Sequence, residues 1–230
     1  MASNKKLVAI ILLIISVSFF VYGTFLNESG KNTRQITGKS AVGTSSVSFR
    51  ILSACNIYLK EGWNLVSICS NLTNKTIDKA LNDINGSYRY VMEWNESNQS
   101  FLIFSPLAAQ NPFTELKEDQ SYFIYLLPLS GEINPTGHYF GDMNIPLIFG
   151  WNTPIYPYDF ETGVEKYLET INESYRYVMK WNSTTQRFMI FSPLAAENEF
   201  YNISSGEGQF VYISNSSGAT LKYNRTNLSG

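Results

Sequence analysis

A block of 23 residues occurs twice in this chain, 87 positions apart. The first copy covers residues 87–109, the second covers residues 174–196, and 17 of the 23 positions are identical without a gap. The motif Gly-Trp-Asn also occurs twice, at Gly62–Asn64 and Gly150–Asn152. Identity at a fixed period is typical of tandem copies of one structural unit. Any fold and function assigned to the chain must therefore accommodate a duplicated module.

Both copies show the same order of predicted elements. Apolar residues with helical spacing come first: Ile77, Leu81 and Ile84 in one copy, and Val164, Leu168 and Ile171 in the other. The repeated block then alternates as a strand, with Tyr88, Tyr90, Met92 and Trp94 on one face, and returns after a polar turn as a β-hairpin. An aromatic strand closes each copy, at residues 121–125 and 209–213. We therefore predict an α+β, mainly β fold: two tandem copies of a small strand–helix–hairpin–strand module after an N-terminal membrane helix.

The first 48 residues are predicted to lie outside this fold. Lys5 and Lys6 precede an apolar segment from Leu7 to Leu26, which is long enough to cross a bilayer core of about 30 Å. The two lysines place the remainder of the chain outside the cytoplasm. A cleaved signal peptide is the alternative. The predicted organisation is a signal-anchor or signal peptide over 1–26, a flexible spacer over 27–48, repeat module 1 over 49–141 and repeat module 2 over 142–230.

Cys55 and Cys69 are the only cysteines. In an extracytoplasmic protein, two cysteines on nearby predicted strands favour a disulfide, and two buried free thiols are the alternative. With two cysteines and one histidine in the chain, a zinc site is not predicted, and neither is any cofactor.

Acceptor sequences for N-glycosylation, Asn-X-Ser/Thr, are unusually dense. Twelve of the 22 asparagines lie in one, where about four would be expected from a Ser plus Thr content of about 18%. They are Asn27, Asn71, Asn74, Asn85, Asn95, Asn98, Asn172, Asn182, Asn202, Asn215, Asn224 and Asn227. The excess predicts covalent glycans on an extracellular surface, whereas an Asn-, Ser- and Thr-rich composition with many turns is the alternative cause.

The stretch Gly62–Ser67, followed by a helix, a Trp-bearing hairpin and a closing aromatic strand, resembles the "GWNLVS" repeats of prokaryotic, often archaeal, surface and secreted proteins. The second copy departs from this pattern where Thr153 and Pro154 replace Leu65 and Val66. The resemblance spans residues 47–230 and implies a surface location with tandem repeats. It implies no catalytic residues.

No set of residues in the sequence predicts an enzyme. His138 stands alone in the segment between the repeats, and no nucleophile, metal-protease or phosphate-binding motif is present. Paired carboxylates would suit glycoside hydrolysis, yet Glu93 is replaced by Lys180 in the second copy. Asp78 matches Glu165, and each lies beside a lysine on the polar face of a predicted helix.

The positions that the copies share are mainly aromatic, and they include Trp94 and Trp181. Exposed Trp side chains stack on sugar rings, so these two residues are a candidate ligand platform. Core packing of one hairpin face is the alternative, and the more ordinary one.

We therefore predict a non-enzymatic, N-glycosylated cell-surface protein with a structural or adhesive role, membrane-anchored or secreted. The alternatives are a carbohydrate-binding surface module and a subunit of an extracellular filament, in which residues 28–48 or a strand near them pairs with a neighbour's sheet edge. The predicted partners are the membrane, covalent glycans, and other surface proteins or copies of the chain itself. The net charge of −2 argues against nucleic acid.

Overall fold

The computed structural model describes residues 55–128 and 130–224. The predicted membrane segment Leu7–Leu26, the spacer, Asn27 and Asn227 lie outside the described residues. The described residues belong to one compact unit, Ser48–Gly230, which spans the predicted module boundary after residue 141. Within them, no helix combines the length and the apolar composition that a bilayer crossing requires.

The prediction of a mainly β fold is confirmed, since residues in strands far outnumber residues in helices in the described ranges. The half before residue 142, here the first half, contains strands β1–β8, a short helix α1 and one 3₁₀ turn. Their bounds are β1 Ile57–Leu59, β2 Gly62–Ser67, β3 Asn71–Leu72, α1 Ile77–Ala80, the 3₁₀ turn Asn82–Ile84, β4 Tyr88–Asn95, β5 Ser100–Phe104, β6 Ser121–Leu126, β7 Gly131–Ile133 and β8 Gly137–His138.

The second half, from residue 142, follows with β9–β16, α2 and a second 3₁₀ turn. Their bounds are β9 Met143–Leu147, β10 Gly150–Asn152, β11 Thr162–Gly163, α2 Val164–Tyr167, the 3₁₀ turn Glu169–Ile171, β12 Tyr175–Asn182, β13 Arg187–Phe191, β14 Asn202–Ile203, β15 Gln209–Ile213 and β16 Ala219–Tyr223.

Each half is built on one antiparallel four-stranded sheet. The strand order is β2-β6-β4-β5 in the first half and β10-β15-β12-β13 in the second. The described residues also form four two-stranded sheets, β1-β7, β3-β8, β9-β16 and β11-β14. Both predicted hairpins are present with the same register, because Val91 lies opposite Phe104 as Val178 lies opposite Phe191.

The strand face predicted to carry Tyr88, Tyr90, Met92 and Trp94 is wrong at Tyr88. The pairing of β4 with β6 shifts register between Tyr88 and Tyr90, and β12 has the same irregularity between Tyr175 and Tyr177. Such a bulge inserts an extra residue and so changes the face on which the preceding side chains lie. Tyr88 therefore packs in the first half's own core together with Val91, and not with Trp94.

The helical segments are present but shorter than their apolar spacing predicts. Each consists of a four-residue α-helix and a 3₁₀ turn, separated by a leucine with φ near −100°. No side-chain hydrogen bond caps the N-terminus of either helix. The apolar residues Ile77, Leu81 and Ile84 are nevertheless all buried, so the spacing identified the inward face correctly.

Each half has its own hydrophobic core. One extends from Cys55 to Ile133, and the other consists of residues of the second half up to Tyr223 together with Phe140, which directly precedes it. Cys55 and Cys69 are joined by a disulfide with Cα atoms 5.7 Å apart, and both are buried in the first core.

Two main-chain seams join the halves. In the first seam, Ser121 N donates to Thr153 O at 2.7 Å and Ile155 N donates to Asp119 O at 3.0 Å. In the second seam, residues 65–67 are bonded to residues 206–208 in the same pattern, with distances of 3.0 and 3.1 Å. Each seam thus pairs the residues that lead into the closing strand of one half with the end of the Gly-Trp-Asn strand of the other half, or with the residues directly after it.

Removing the disulfide is expected to destabilise the fold without abolishing it. The two cysteines are 14 residues apart, and a closed loop of this size restricts the unfolded chain by about 3 kcal/mol. We expect the double variant Cys55→Ser and Cys69→Ser to lose about 2–3 kcal/mol of unfolding free energy in urea titration. Reductant should lower the unfolding free energy of the wild type by a similar amount and leave that of the variant unchanged. A wild-type unfolding free energy that does not respond to reductant would contradict the assignment.

Candidate functional site

The two four-stranded sheets meet in a cluster of aromatic and apolar side chains, here called the shared aromatic cluster. Both halves contribute to it, and its members are Leu65, Trp94, Phe123, Met179 and Phe210, with Trp63, Met92, Phe101, Trp151, Trp181 and Phe188 packed against them. The Phe123 ring centroid lies 5.5 Å from that of Trp181 and 6.1 Å from that of Phe210. Separating the halves would expose all of this apolar surface to water, which is unfavourable.

Gln186 of the second half binds the main chain of Trp63 in the first. Trp63 N donates to Gln186 Oε1 at 2.9 Å, and Gln186 Nε2 donates to Trp63 O at 3.0 Å. The indole Nε1 of Trp181 donates to the same carbonyl at 2.7 Å. The carbonyl therefore accepts two hydrogen bonds, the number that its lone pairs allow.

Gln99 of the first half makes the same contacts with Trp151 of the second. Trp151 N donates to Gln99 Oε1 at 2.8 Å, and Gln99 Nε2 donates to Trp151 O at 2.9 Å. Trp94 Nε1 also donates to Trp151 O, at 2.9 Å. We refer to the two sets together as the reciprocal Trp–Gln contact. It satisfies both indole N–H groups at the border of an apolar cluster, where an unpaired donor would be costly.

The hairpin turns hold the two glutamines in position. Gln99 and Gln186 have φ of 50° and 51°, in the left-handed region, as the last residues of their turns. Each side chain also bonds its own turn: Gln99 Nε2 donates to Glu96 O at 2.6 Å, and Gln186 Nε2 donates to Ser183 O at 2.7 Å. Each amide therefore points across to the other half with little freedom to rotate.

The glycine of each Gly-Trp-Asn motif makes room for this amide. Gly62 and Gly150 have φ of 85° and 103°, a region that side chains disfavour. A Cβ at Gly62 would lie 2.8 Å from Gln186 Oε1, and one at Gly150 would lie 2.7 Å from Gln99 Oε1. The asparagine closes the loop before the strand: Asn64 Nδ2 donates to Lys60 O at 2.7 Å, and Asn152 Nδ2 donates to Ile148 O at 2.8 Å. All three residues of the motif thus have packing roles.

The structure places the candidate ligand platform inside the shared aromatic cluster. Trp94 is only 6% exposed, and Trp181 is partly buried with its ring centroid 4.9 Å from that of Phe188. Both indole N–H groups bond the opposite half, so neither is free to recognise a sugar. The more ordinary interpretation of these aromatics, core packing, describes them correctly.

The glutamines were missed in the sequence because turns rich in polar residues are expected to be solvent-exposed. A sign of their role was present, since Gln99 and Gln186 are 87 positions apart and identical while the residues on either side of them differ. A polar residue retained in an otherwise divergent turn indicates a specific hydrogen-bonding requirement.

The predicted glycan acceptors all lie at the surface of the described part of the chain. Seven are exposed, namely Asn74, Asn85, Asn98, Asn172, Asn202, Asn215 and Asn224, and three are half-buried, namely Asn71, Asn95 and Asn182. Asn74 Oδ1 accepts from both N and Oγ1 of Thr76, the third residue of its own acceptor sequence, at 3.0 and 2.8 Å. Asn202 differs, because its Nδ2 donates to Glu161 Oε1 at 2.8 Å.

The groups considered for catalysis are not gathered into one site. His138 is exposed on β8, where it pairs with Asn71, and Asp78 and Glu165 are exposed on the two short helices. Within residues 55–128 and 130–224, no three His, Cys, Asp or Glu side chains form a metal-binding group. Glu93 and Lys180 each form an ion pair, Glu93 with Lys117 and Lys180 with Glu207.

One carboxyl group at the first seam has a markedly shifted pKa. Burial raises the pKa of Glu96 to about 7, against a hydrogen bond from the backbone of Thr153 that lowers it. The nearby carboxylates of Asp119 and Glu93 raise it further, and Lys117 lowers it. Ionised Glu96 thus occupies an electrostatically unfavourable place between the halves.

The chain matches no protein-family model, and no significant similarity to a curated protein or a solved structure was found.

Substituting the motif glycine should disturb the reciprocal Trp–Gln contact. We expect Gly62→Ala to lower the free energy of unfolding by about 2–3 kcal/mol, because it combines backbone strain with displacement of the Gln186 amide. Gly86→Ala is the matched control, since Gly86 has φ of 76° but open space where a Cβ would lie. It should cost only about 1 kcal/mol. If urea titration gave the same loss of unfolding free energy for both variants, the Gln186 contact would contribute nothing to stability.

The raised pKa of Glu96 predicts a pH-dependent stability. Between about 4.5 and about 7 the folded chain binds more protons than the unfolded chain, so the free energy of unfolding falls as pH rises through this window. Glu96→Gln should flatten that fall and be more stable than wild type at pH 8 in buffer without divalent cations. The exposed Glu165→Gln serves as control and should follow the wild-type curve. A Glu96→Gln curve parallel to wild type would refute the assignment.

Proposed function

We propose that this protein is a non-enzymatic, N-glycosylated extracellular protein with a structural or adhesive role. Residues 7–26 attach it to the membrane or direct its export, and residues 27–48 space the folded unit from the surface. The folded unit consists of two copies of one module, locked face to face. It serves through a rigid shape and a glycosylated surface rather than through a reaction centre.

The surface placement of the glycan acceptors carries this proposal. Ten acceptor asparagines lie in the described residues and none of them is buried, although the same region buries Asn64 and Asn152, which are not acceptors. A glycan needs an accessible Nδ2, and at Asn74 and Asn215 the hydrogen bonds run through Oδ1 instead. The distribution is therefore compatible with modification at many positions on one molecule.

The disulfide and the low charge support an extracellular setting. A disulfide is retained in oxidising compartments and is uncommon in the cytosol. Charged residues make up only 16% of the chain, and glycans would supply the hydration that charge usually supplies.

The reciprocal Trp–Gln contact supports a structural role for the duplication. In the proposed tandem arrangement, the Gly-Trp-Asn motif of each copy is bound by the glutamine in the hairpin turn of the other copy. This is consistent with the resemblance of Gly62–Ser67 to the "GWNLVS" surface repeats, whose motif would then be a packing element. The carbohydrate-binding alternative loses its support, because Trp94 and Trp181 serve this packing. The filament alternative depends on residues 28–48 and stays a prediction.

Mass spectrometry of the native protein tests the glycosylation directly. We expect the intact mass to exceed the sequence mass by several glycans and to fall after chemical deglycosylation. Asn74→Gln should remove the mass of one glycan, and Asn82→Gln, which changes an exposed asparagine outside any acceptor sequence, should remove none. We expect Asn202 to be occupied less often than Asn74, because modification would break its bond to Glu161. An unmodified native protein would refute the proposal.

A further inference from the structure

The outer strands of the two four-stranded sheets differ in how their free edges are covered. β5 and β13 are the last strands of their sheets, and among the described strands each is paired on one side only. Their registers match, since Ile103 lies opposite Met92 as Ile190 lies opposite Met179. In an antiparallel pair, alternate residues direct their N–H and C=O groups away from the neighbouring strand. Each outward-pointing group of β13 therefore has a counterpart on β5, 87 positions earlier.

The outer edge of β13 is covered by charged side chains of its own half. Ile190 N donates to Glu199 Oε2 at 2.8 Å, and Glu199 N donates to Ile190 O at 3.3 Å. Arg187 Nη1 donates to Phe188 O at 3.5 Å and to Glu199 Oε1 at 2.6 Å. Charged side chains along an edge prevent it from pairing with another chain. We refer to Glu199 and Arg187 as the edge caps of β13.

A further cap, directly after the strand, is common to both edges. Asn198 accepts from Ser192 N at 2.7 Å and donates to Ser192 O at 3.2 Å. Asn111 makes the same two bonds with Ser105, at 2.8 and 3.0 Å. The same main-chain groups thus point outward on both edges.

The edge caps themselves are missing from β5. Pro112 occupies the position of Glu199, and Ser100 occupies that of Arg187. Proline has no N–H to donate and no carboxylate to accept, and the serine side chain is too short to reach along the edge. No group of the described chain hydrogen-bonds the outward N–H and C=O of Ile103. Its side chain is 50% exposed.

The uncovered part of this edge is short and has defined ends. It consists of the outward groups of Phe101 and Ile103, which have no partner among the described residues. At one end Ser105 is already bonded by Asn111, and at the other the turn residue Gln99 has φ of 50°, which is not extended. β5 carries no charged side chain. An uncharged edge with free main-chain groups is suited to pairing with another strand.

We propose that β5 pairs with β5 of a second copy of this chain, antiparallel about a twofold axis at Leu102. Phe101 of each copy then lies opposite Ile103 of the other, and the two N–H and two C=O groups of each strand are all bonded. A twofold axis at Phe101 or at Ile103 would require Gln99 or Ser105 to complete the pairing. The axis at Leu102 is therefore the register that uses all the free groups.

The side chains of β5 fit a second copy as well as its main chain does. The cross-strand pair of Phe101 and Ile103 joins an aromatic and a β-branched residue, and no like charges meet. Leu102 lies opposite itself, and it lines a surface groove of about 730 Å³ with Pro112 and Phe113. This side of the edge is thus open to the second Leu102.

The edge caps of β13 limit the assembly to two copies. Because Glu199 and Arg187 cover the other free edge, the pairing is a closed twofold contact and does not continue into a fibre. The glycan acceptors Asn95 and Asn98 precede β5 and are not among the paired residues. The pairing does not depend on the glycans, so it can be tested whether or not the proposed function holds.

Cysteine crosslinking of the full chain in a mild detergent tests the register. The native cysteines are joined to each other, so an introduced cysteine is the free thiol. We expect Leu102→Cys to form a disulfide-linked dimer under mild oxidation, because residues opposite each other in a non-hydrogen-bonded pair have Cα atoms about 4.5 Å apart. Ile103→Cys should give at least about tenfold less dimer, since its two copies would be more than about 7 Å apart.

Met189→Cys, at the equivalent position of the capped edge, is the matched control and should also stay monomeric. No dimer with Leu102→Cys would overturn the proposal and would indicate that solvent or another segment of the same chain covers β5. Equal dimer with all three variants would overturn it too, because random collision in the detergent would then explain the crosslink.

Transferring the edge caps to β5 tests the proposal without an introduced cysteine, and so stands even if Leu102→Cys fails to fold. Ser100→Arg combined with Pro112→Glu should fold, because the second half has the same residues there, and should associate at least about tenfold more weakly than wild type in sedimentation equilibrium. Gln110→Glu, which adds a carboxylate to the same loop, should associate as wild type. Association of the capped variant as strong as that of wild type, or a strictly monomeric wild type, would overturn the proposal.

Discussion

The structure depends on one constraint: in the part of the chain that the structure describes, each four-stranded sheet has an aromatic face that packs against the opposite sheet. Trp94 and Trp181 bring polar N–H groups into that apolar boundary, and each group needs an acceptor that is also shielded from water. The main-chain carbonyls of Trp151 and Trp63 supply them, and a glutamine from the opposite hairpin completes each set. Hydrophobic burial provides the driving force, and these hydrogen bonds fix the single arrangement in which burial is achieved.

The differences between the halves are as informative as the identities. The aromatic positions and the two glutamines match, because a reciprocal contact fails if either side changes. The charged positions differ between the halves, and none of them belongs to the shared aromatic cluster. Lys180 and Glu207 neutralise one seam internally. Glu93, Glu96 and Asp119 leave the other acidic, with the pKa of Glu96 raised by burial.

Local patterns predicted the hairpins, the closing strands, the buried face of each helix and the pairing of Cys55 with Cys69, because each depends on residues near in sequence. The bulge at Tyr88 and the early end of α1 were not predicted, since tertiary pairing decides both. The role of Gln99 was also missed: it bonds residue 151, and a single sequence does not show which distant main chain a turn residue meets. For the same reason the sequence does not decide the exposure of Trp94, which depends on the opposite sheet.

The central claim is that the halves form one cooperative structure and not two modules that fold independently. Native-state hydrogen exchange read at the Trp63 and Trp151 amides tests it most directly, because each amide is bonded by a glutamine of the other half. We predict that both exchange with the same free energy and the same denaturant dependence, which are those of global unfolding. Exchange of the two amides with clearly different free energies, each tracking the unfolding of a separate half, would contradict the account.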